Sequence, residues 1–281
     1  MGRFPLPTRL GSSYVHVSWT DGNMQPGVDI AGLAALRSEV ARLERYPGPG
    51  RQAEPIPFGI PAIDQALPAG GIATGALHEV AGSAAQVEHG TAATLLAAGL
   101  LARVPGEVLW VLEQRDIHPP ALASVGLTPE RVVYVHARKP RTVLLVMEEG
   151  LRHRGLAAVV GEFSGALSLT ASRRLQLAAE QSGVTAFLLR RSRCFADQAL
   201  NAPNAAVTRW RVATVPSAPP LPQAAETPGL GRPRWRLELM RCRGGEAHAW
   251  MVEAFDATGR CRLAADMADR PAAPQPRRAV A

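Results

Sequence analysis

The stretch "ALHEVAGSAAQVEHGTAATLLAAGLLARVPGEVLWVLE", residues 76–113, decides the fold of this chain. Its start, "ALHEV" at 76–80, predicts a strand. The run rich in alanine and leucine at 91–103 predicts a helix, and "EVLWVLE" at 107–113 predicts a second, buried strand. A glycine-bearing loop joins the first strand to the helix. Loops in this position place backbone N–H groups and a helix N-terminus where nucleotide phosphates can bind.

The same alternation of strand and helix continues toward the C-terminus. Strands are predicted at "RVVYVHA" (131–137), "LAAVVGEF" (156–163) and "VTAFLLRRS" (184–192), and helices at "PPALASVGL" (119–127), "TVLLVMEEGLRHR" (142–154) and "TASRRLQLAAEQSG" (170–183), the last with Thr170 as its N-cap. Strands and helices that alternate at this spacing predict an α/β fold with a parallel sheet covered on both faces. Ligands of such folds bind at the carboxyl ends of the strands.

Composition changes divide the chain into several predicted segments. A helix with apolar residues at helical spacing precedes the core and ends at "PGPG", and alternating residues after a proline-rich stretch indicate an antiparallel meander. We expect a disordered tail at 1–28, with translation starting at Met1 or Met24, an N-terminal helix and linker at 29–50, the core at 51–215, a Pro-rich loop at 216–233, the β meander at 234–268 and a disordered tail at 269–281.

Overall composition narrows the class of protein. The 281 residues are 47% hydrophobic, enough for a buried core, yet the longest central apolar run spans about a dozen residues against the roughly 20 that cross a bilayer. The three cysteines lack metal-ligand spacing and suit a reducing cytoplasm. Residues 1–150 hold 12 Lys+Arg against 14 Asp+Glu, whereas residues 151–281 hold 19 against 10. The basic surface is therefore expected in the second half.

The segment "FGIPAIDQALPAGGIATGALHEVAG" (58–82) resembles the entry into the ATPase core of RecA recombinases. The strand order that follows agrees, and "ALASVGLTPERVVYVHA" is similar to the passage after the second strand of RecA. Within that superfamily, the chain resembles the ImuA family over about residues 30–270, including "RWRLELMRCRGGEAHAW" (234–250) in the predicted meander. The resemblance implies a RecA-like core flanked by helices, with an N-terminal helix and the antiparallel meander as additions.

The loop after the first strand departs from a working phosphate-binding loop. The motif G-x-x-x-x-G-K-[ST] uses glycines to bring N–H groups to the phosphates, a lysine to neutralise them and a hydroxyl to hold Mg²⁺. Here Gly82 is followed by Gly90 with seven residues between, Thr91 comes where the lysine belongs, and Glu88 adds a charge that repels a triphosphate. We expect no nucleotide cofactor and no resident metal.

Two further positions of the RecA-like site also lack the expected residue. By alignment, Gly161 stands in place of the aspartate that organises Mg²⁺, with Glu162 next to it on the opposite face of the strand. Gln114 stands in place of the catalytic glutamate, although Glu113 takes that place if the alignment is shifted by one residue. Together with the altered loop, these changes predict a protein without catalytic residues.

Two surfaces are candidates for binding in place of catalysis. The apolar stripe of Leu33, Leu36, Val40 and Leu43 on the N-terminal helix either docks on a partner or covers its own core. Arg190, Arg191 and Arg193, at the end of the fifth strand where RecA holds single-stranded DNA, either bind phosphates or form a solvated basic strand end.

The resemblance implies a noncatalytic accessory of SOS-induced translesion DNA synthesis and mutagenesis in the cytoplasm. Its implied partners are an ImuB-like homologue of Y-family polymerases and an error-prone DnaE-type polymerase, with RecA and single-stranded DNA as further candidates. Two alternatives stay open. One is a cell-division inhibitor like SulA, although such proteins are shorter and lack the N-terminal helix and the meander. The other is an atypical ATPase in which Arg115 replaces the missing lysine.

Overall fold

Buried apolar strands form the centre of the molecule, as the sequence predicts. The computed structural model describes residues 54–192, 200–221, 223, 227, 229 and 231–264, so the predicted N-terminal helix and both tails lie outside the described residues. The parallel strands are β1 (Leu77–Gly82), β2 (Glu107–Leu112), β3 (Val132–His136), β4 (Leu156–Phe163), β5 (Thr185–Arg190) and β6 (Thr208–Val215).

Three antiparallel strands extend the same sheet beyond β6. They are β7 (Arg234–Cys242), β8 (His248–Glu253) and β9 (Arg262–Leu263), and the complete order is β3-β2-β4-β5-β1-β6-β7-β8-β9. The fold prediction is therefore confirmed: a parallel α/β core carries a C-terminal antiparallel meander. The meander is hydrogen-bonded to the core through β6 and β7, so both belong to one nine-stranded sheet.

The helices lie between the strands where the sequence pattern places them, with shifted ends. They are α1 (Pro61–Asp64), α2 (Val87–Leu101), α3 (Pro119–Ala123), a 3₁₀ turn (Pro129–Arg131), α4 (Pro140–Leu151) and α5 (Leu169–Ser182). The N-cap of α5 is Ser168, whose hydroxyl accepts a hydrogen bond from the Ala171 N–H, so the prediction of Thr170 was wrong. Helix α5 ends at Gly183, which adopts a left-handed conformation with φ of 82°.

The two faces of the sheet bury separate apolar clusters. On one face, α2 and the meander enclose a core that contains Leu96, Trp210 and Trp235. On the other face, Met147 of α4 and Leu175 of α5 belong to the same cluster as Val159 of β4. Because both faces of the sheet are covered, all six residues of β1 are buried, and the central strands lack the alternation of apolar and polar residues seen in one-sided sheets.

Among the described residues, no helix is long and apolar enough to cross a membrane.

Candidate functional site

A cleft of about 470 Å³ lies at the carboxyl ends of β1, β2, β4 and β5, where the ligands of parallel α/β folds bind. The loop after β1, the first turn of α2 and the ends of the three other strands form its walls. The lining residues are Gly82, Ala84, Ala85, Gln86, Val87, Gly90, Glu113, Gln114, Asp116, Glu162, Ser164, Arg190, Arg191 and Ser192.

The loop after β1 has the length of a phosphate-binding loop, although seven residues separate Gly82 from Gly90. Strand β1 ends at Gly82 and α2 begins at Val87, so four residues separate them. Counted from Gly82, the motif G-x-x-x-x-G-K-[ST] places Val87 at its second glycine, Glu88 at its lysine and His89 at its hydroxyl position. Gly90 belongs to the first turn of the helix.

Close packing explains the one glycine that the loop retains. A Cβ on Gly82 would lie 2.8 Å from the carbonyl carbon of His89, so strand and helix approach too closely for a side chain. Gly90, by contrast, faces open space. Thr91 is occupied within the helix, since its hydroxyl donates to the Val87 carbonyl at 2.9 Å.

The side chains in the first turn of α2 do not form a phosphate cradle. Val87 is 80% exposed, and Glu88 is exposed as well. His89 turns toward the sheet, where its Nδ1 accepts a hydrogen bond from the Thr214 N–H at 3.1 Å. This bond ties the start of α2 to the end of β6. Val87 of this turn lines the cleft, whereas Glu88 is exposed outside the cleft lining, and no lysine is available in the turn to bind phosphate.

Glu162 lines the cleft, and this corrects the predicted position of Gly161. A Cβ on Gly161 would overlap the side chain of Met147 on α4, so that residue faces the other layer. Glu162 is 1% exposed; it accepts hydrogen bonds from Trp110 Nε1 at 3.1 Å and from Arg191 Nη2 at 2.6 Å. Burial raises the pKa of the Glu162 carboxyl, while Arg191 opposes that shift.

Both alternatives for the catalytic glutamate position, Glu113 and Gln114, line the cleft. Glu113 is held by Ser164, whose hydroxyl donates at 2.6 Å and whose N–H donates at 2.9 Å. Arg115 does not line the cleft. Its Nε donates to His136 Nδ1 at 3.3 Å, beside the end of β3.

Arg190 and Arg191, at the end of β5, form ion pairs with carboxylates of the protein itself. The side chain of Arg190 is 2% exposed, forms an ion pair with Glu79 at 3.2 Å and donates to the Gly165 carbonyl at 2.9 Å. The prediction that it binds DNA phosphates conflicts with this burial. Arg191 is 31% exposed and bridges Glu162 and Asp116, at 2.6 and 3.3 Å. Arg193 lies outside the described residues.

A buried ionic cluster around Glu79 was missed by the sequence reasoning. Glu79, in the middle of β1, is fully buried and pairs with Arg209 at 3.1 Å and Arg211 at 3.7 Å as well as with Arg190. Asn204 Nδ2 also donates to it at 2.6 Å. The sequence does indicate this cluster. A glutamate in a buried central strand requires cationic partners, and "TRWRV" (208–212) has arginines at alternate positions, on one face of a strand.

The predicted partner-binding stripe of Leu33, Leu36, Val40 and Leu43 lies outside the described residues.

Among the residues that the structure describes, no group of three or more His, Cys, Asp or Glu residues is arranged to hold a metal ion. The cleft combines the location of a RecA-like nucleotide site with a lining that holds three carboxylates and two arginines.

Comparisons with known proteins agree with this architecture. The crystal structure of the RadB recombinase superposes on the chain with a TM-score of 0.50 at 16% identity, covering 75% of this chain and 100% of that one, which supports the fold alone. No model of a protein family matches the chain. Protein ImuA from Caulobacter vibrioides (strain NA1000 / CB15N) is 40% identical over 210 residues, 72% of this chain and 84% of that protein. Its counterpart from strain ATCC 19089 / CIP 103742 / CB 15 matches equally. The chain thus belongs to the ImuA family of RecA-like proteins.

Proposed function

We propose that this protein is a noncatalytic accessory of SOS-induced translesion DNA synthesis and mutagenesis. It acts in the cytoplasm by binding partner proteins, an ImuB-like homologue of Y-family polymerases and an error-prone DnaE-type polymerase, with RecA and single-stranded DNA as further ligands. Membership of the ImuA family supports the damage-response role. The RecA-like fold supplies surfaces for assembly, which in this proposal are what the protein uses.

One observation supports the noncatalytic part of the proposal: counted from Gly82, Glu88 falls at the lysine position of a loop whose length is otherwise kept. A lysine there neutralises the phosphates of a nucleotide, whereas a carboxylate repels them. Val87, at the second glycine position, adds a β-branched side chain beside the N–H groups that would face the phosphates. Glu88 and Val87 therefore depart from the motif in charge and in shape, respectively.

Carboxylates on the opposite wall of the cleft also disfavour the binding of a nucleotide. Glu113, Asp116 and Glu162 are three carboxylates that line it, and Arg191 is already engaged by two of them. Arg190 is buried and pairs with Glu79 beneath the cleft. Both arginines of the lining already pair with carboxylates of the protein, which disfavours the atypical-ATPase alternative.

Calorimetric titration with ATP and Mg²⁺ tests the proposal. We expect no measurable heat of binding and no rise in melting temperature with added nucleotide. A triple variant, Val87→Gly with Glu88→Lys and His89→Thr, restores the motif in the structural register, and Thr91→Lys restores a lysine after Gly90 as the matched control. Only the triple variant is expected to gain nucleotide affinity. A micromolar dissociation constant for the unaltered protein would disprove the noncatalytic assignment.

Partner binding is tested with purified proteins. The chain is expected to form a complex with the ImuB-like protein in size-exclusion chromatography, and cells lacking the chain are expected to lose damage-induced mutagenesis. If the chain instead inhibits FtsZ assembly and leaves mutagenesis unchanged, the division-inhibitor alternative holds.

A further inference from the structure

A second groove, of about 420 Å³, lies along one face of α5, away from the nucleotide-site cleft. Helix α5 forms one wall, and the residues leading into β6 together with the end of β7 form the other. The lining residues, which define the α5 groove, are Leu169, Arg173, Gln176, Leu177, Glu180, Asn204, Ala205, Arg241 and Arg243. The helical residues recur at three- and four-residue intervals, as expected for one face of a helix.

The α5 groove carries an excess of positive charge at defined positions. Arg241 donates to the Asn204 carbonyl at 2.9 Å and Arg243 donates to the Ala205 carbonyl at 3.3 Å, so backbone contacts orient both guanidinium groups. Glu180 lies 3.8 Å from Arg243 and is the one carboxylate in the lining. Arg173 is exposed and has no carboxylate partner among the described residues. Three cations therefore face one anion.

Two leucines give the α5 groove an apolar component. Leu169 is 42% exposed and Leu177 is 54% exposed, although both lie on a helix whose opposite face packs into the core. They are eight residues apart, about 12 Å along the helix. Large apolar side chains beside oriented cations are typical of surfaces that bind a partner.

We propose that the α5 groove binds a short peptide segment of another protein, in which apolar side chains about 12 Å apart are flanked by Asp or Glu residues. The apolar side chains cover Leu169 and Leu177, and the carboxylates pair with Arg173, Arg241 and Arg243. This deepens the proposed function, on which it rests, by naming a surface and the chemistry of what docks there.

The lining favours a peptide over nucleic acid. Surfaces that bind single-stranded nucleic acid without sequence preference combine basic groups with aromatic rings on which bases stack. The α5 groove has no aromatic residue in its lining, and exposed leucines offer bases no stacking surface. An acidic peptide with apolar side chains satisfies the guanidinium groups and the leucines together.

Fluorescence anisotropy with the full chain tests this proposal. The probe is a fluorescein-labelled peptide, DDLEELLDDL, and its controls replace either every leucine with serine or every acidic residue with lysine. We expect saturable binding of the probe and not of the controls. Leu177→Glu and Arg173→Glu, both at exposed positions, should each weaken binding by on the order of tenfold or more. Arg141→Glu, a charge reversal at an exposed site on α4, is the matched control and should bind as the parent does.

The melting temperature of each variant is compared with that of the parent. Equal values show that weakened binding results from the change in the α5 groove and not from unfolding. The proposal is overturned if the probe does not bind, or if Leu177→Glu and Arg173→Glu bind it as well as the parent. It is also overturned if a labelled oligothymidylate binds and loses affinity in Arg173→Glu while the peptide stays free, because the groove then belongs to nucleic acid. Peptide binding and damage-induced mutagenesis are separate measurements, so failure of this inference leaves the accessory function standing.

Discussion

Replacing Glu79 with glutamine should destabilise the protein more than replacing any one of its arginine partners. The carboxylate is fully buried in β1 and is the shared counterion of Arg190, Arg209 and Arg211, whose side chains are 2%, 12% and 11% exposed. Glu79→Gln keeps the shape of the side chain and removes its charge. Three guanidinium groups that now share one anion would then face one another without it.

The distances, 3.1–3.7 Å, place all three guanidinium groups in direct ionic contact with Glu79. Removing the charge of the carboxylate removes these attractions, and it also removes the cost of burying that charge, which offsets part of the loss. We expect the free energy of unfolding to fall by about 3–5 kcal/mol, the range found when one partner of a buried ion pair is removed.

Urea denaturation followed by circular dichroism measures this loss. Arg211→Gln is the matched control, because it removes one of three cations and leaves Glu79 paired with the other two. Burial lowers the pKa of Arg211, so its charge is already costly, and the control should cost about 1 kcal/mol through its lost bond to the Leu200 carbonyl. A Glu79→Gln variant within about 1 kcal/mol of the parent, or no costlier than Arg211→Gln, would refute this electrostatic account.

Three other predictions concern different parts of the chain. Burial lowers the pKa of His78 to about 4. Below pH 6.5 the unfolded state therefore binds a proton that the folded state does not, and the free energy of unfolding should fall by about 2 kcal/mol between pH 7 and pH 5. Urea denaturation at the two pH values measures this change, and the His78→Gln variant should lack it. Leu36→Glu with Leu43→Glu should abolish complex formation with the ImuB-like protein at an unchanged melting temperature, whereas unfolding would identify the N-terminal helix as an internal cover. Arg193→Ala should weaken binding of single-stranded DNA and flatten its salt dependence in filter binding, and unchanged affinity would place the DNA site elsewhere.

Local patterns in the sequence were sufficient for the fold class. The runs at β2, β4 and β5 are mostly apolar without alternation because both faces of the sheet are covered, so each strand could be recognised from its own residues. The meander alternates and turns at glycines, which also depends on neighbouring residues only. The absence of the lysine was equally visible, since it required no knowledge of where α2 begins.

Other features depended on positions that only the folded chain defines. The sequence placed the loop register by its glycines, but Gly90 lies within α2, and the start of that helix at Val87 decides which residue occupies the lysine position. Glu162 was assigned away from the cleft because the alignment set Gly161 there; the packing of Gly161 against Met147 reverses this. A shift of one residue exchanges the two faces of a strand, and tertiary packing fixes that choice.

Long-range pairing accounts for the remaining difference. Arg190 reads as a surface cation next to a loop, but its partner Glu79 lies 111 residues earlier in the chain and meets it because β5 and β1 are neighbours in the sheet. The α5 groove likewise joins residues of α5 to Arg241 and Arg243 at the end of β7. Periodicity is a property of neighbouring residues and can be read from the sequence. Charge pairing and grooves depend on strand order and helix packing, which bring distant residues together only in the tertiary structure.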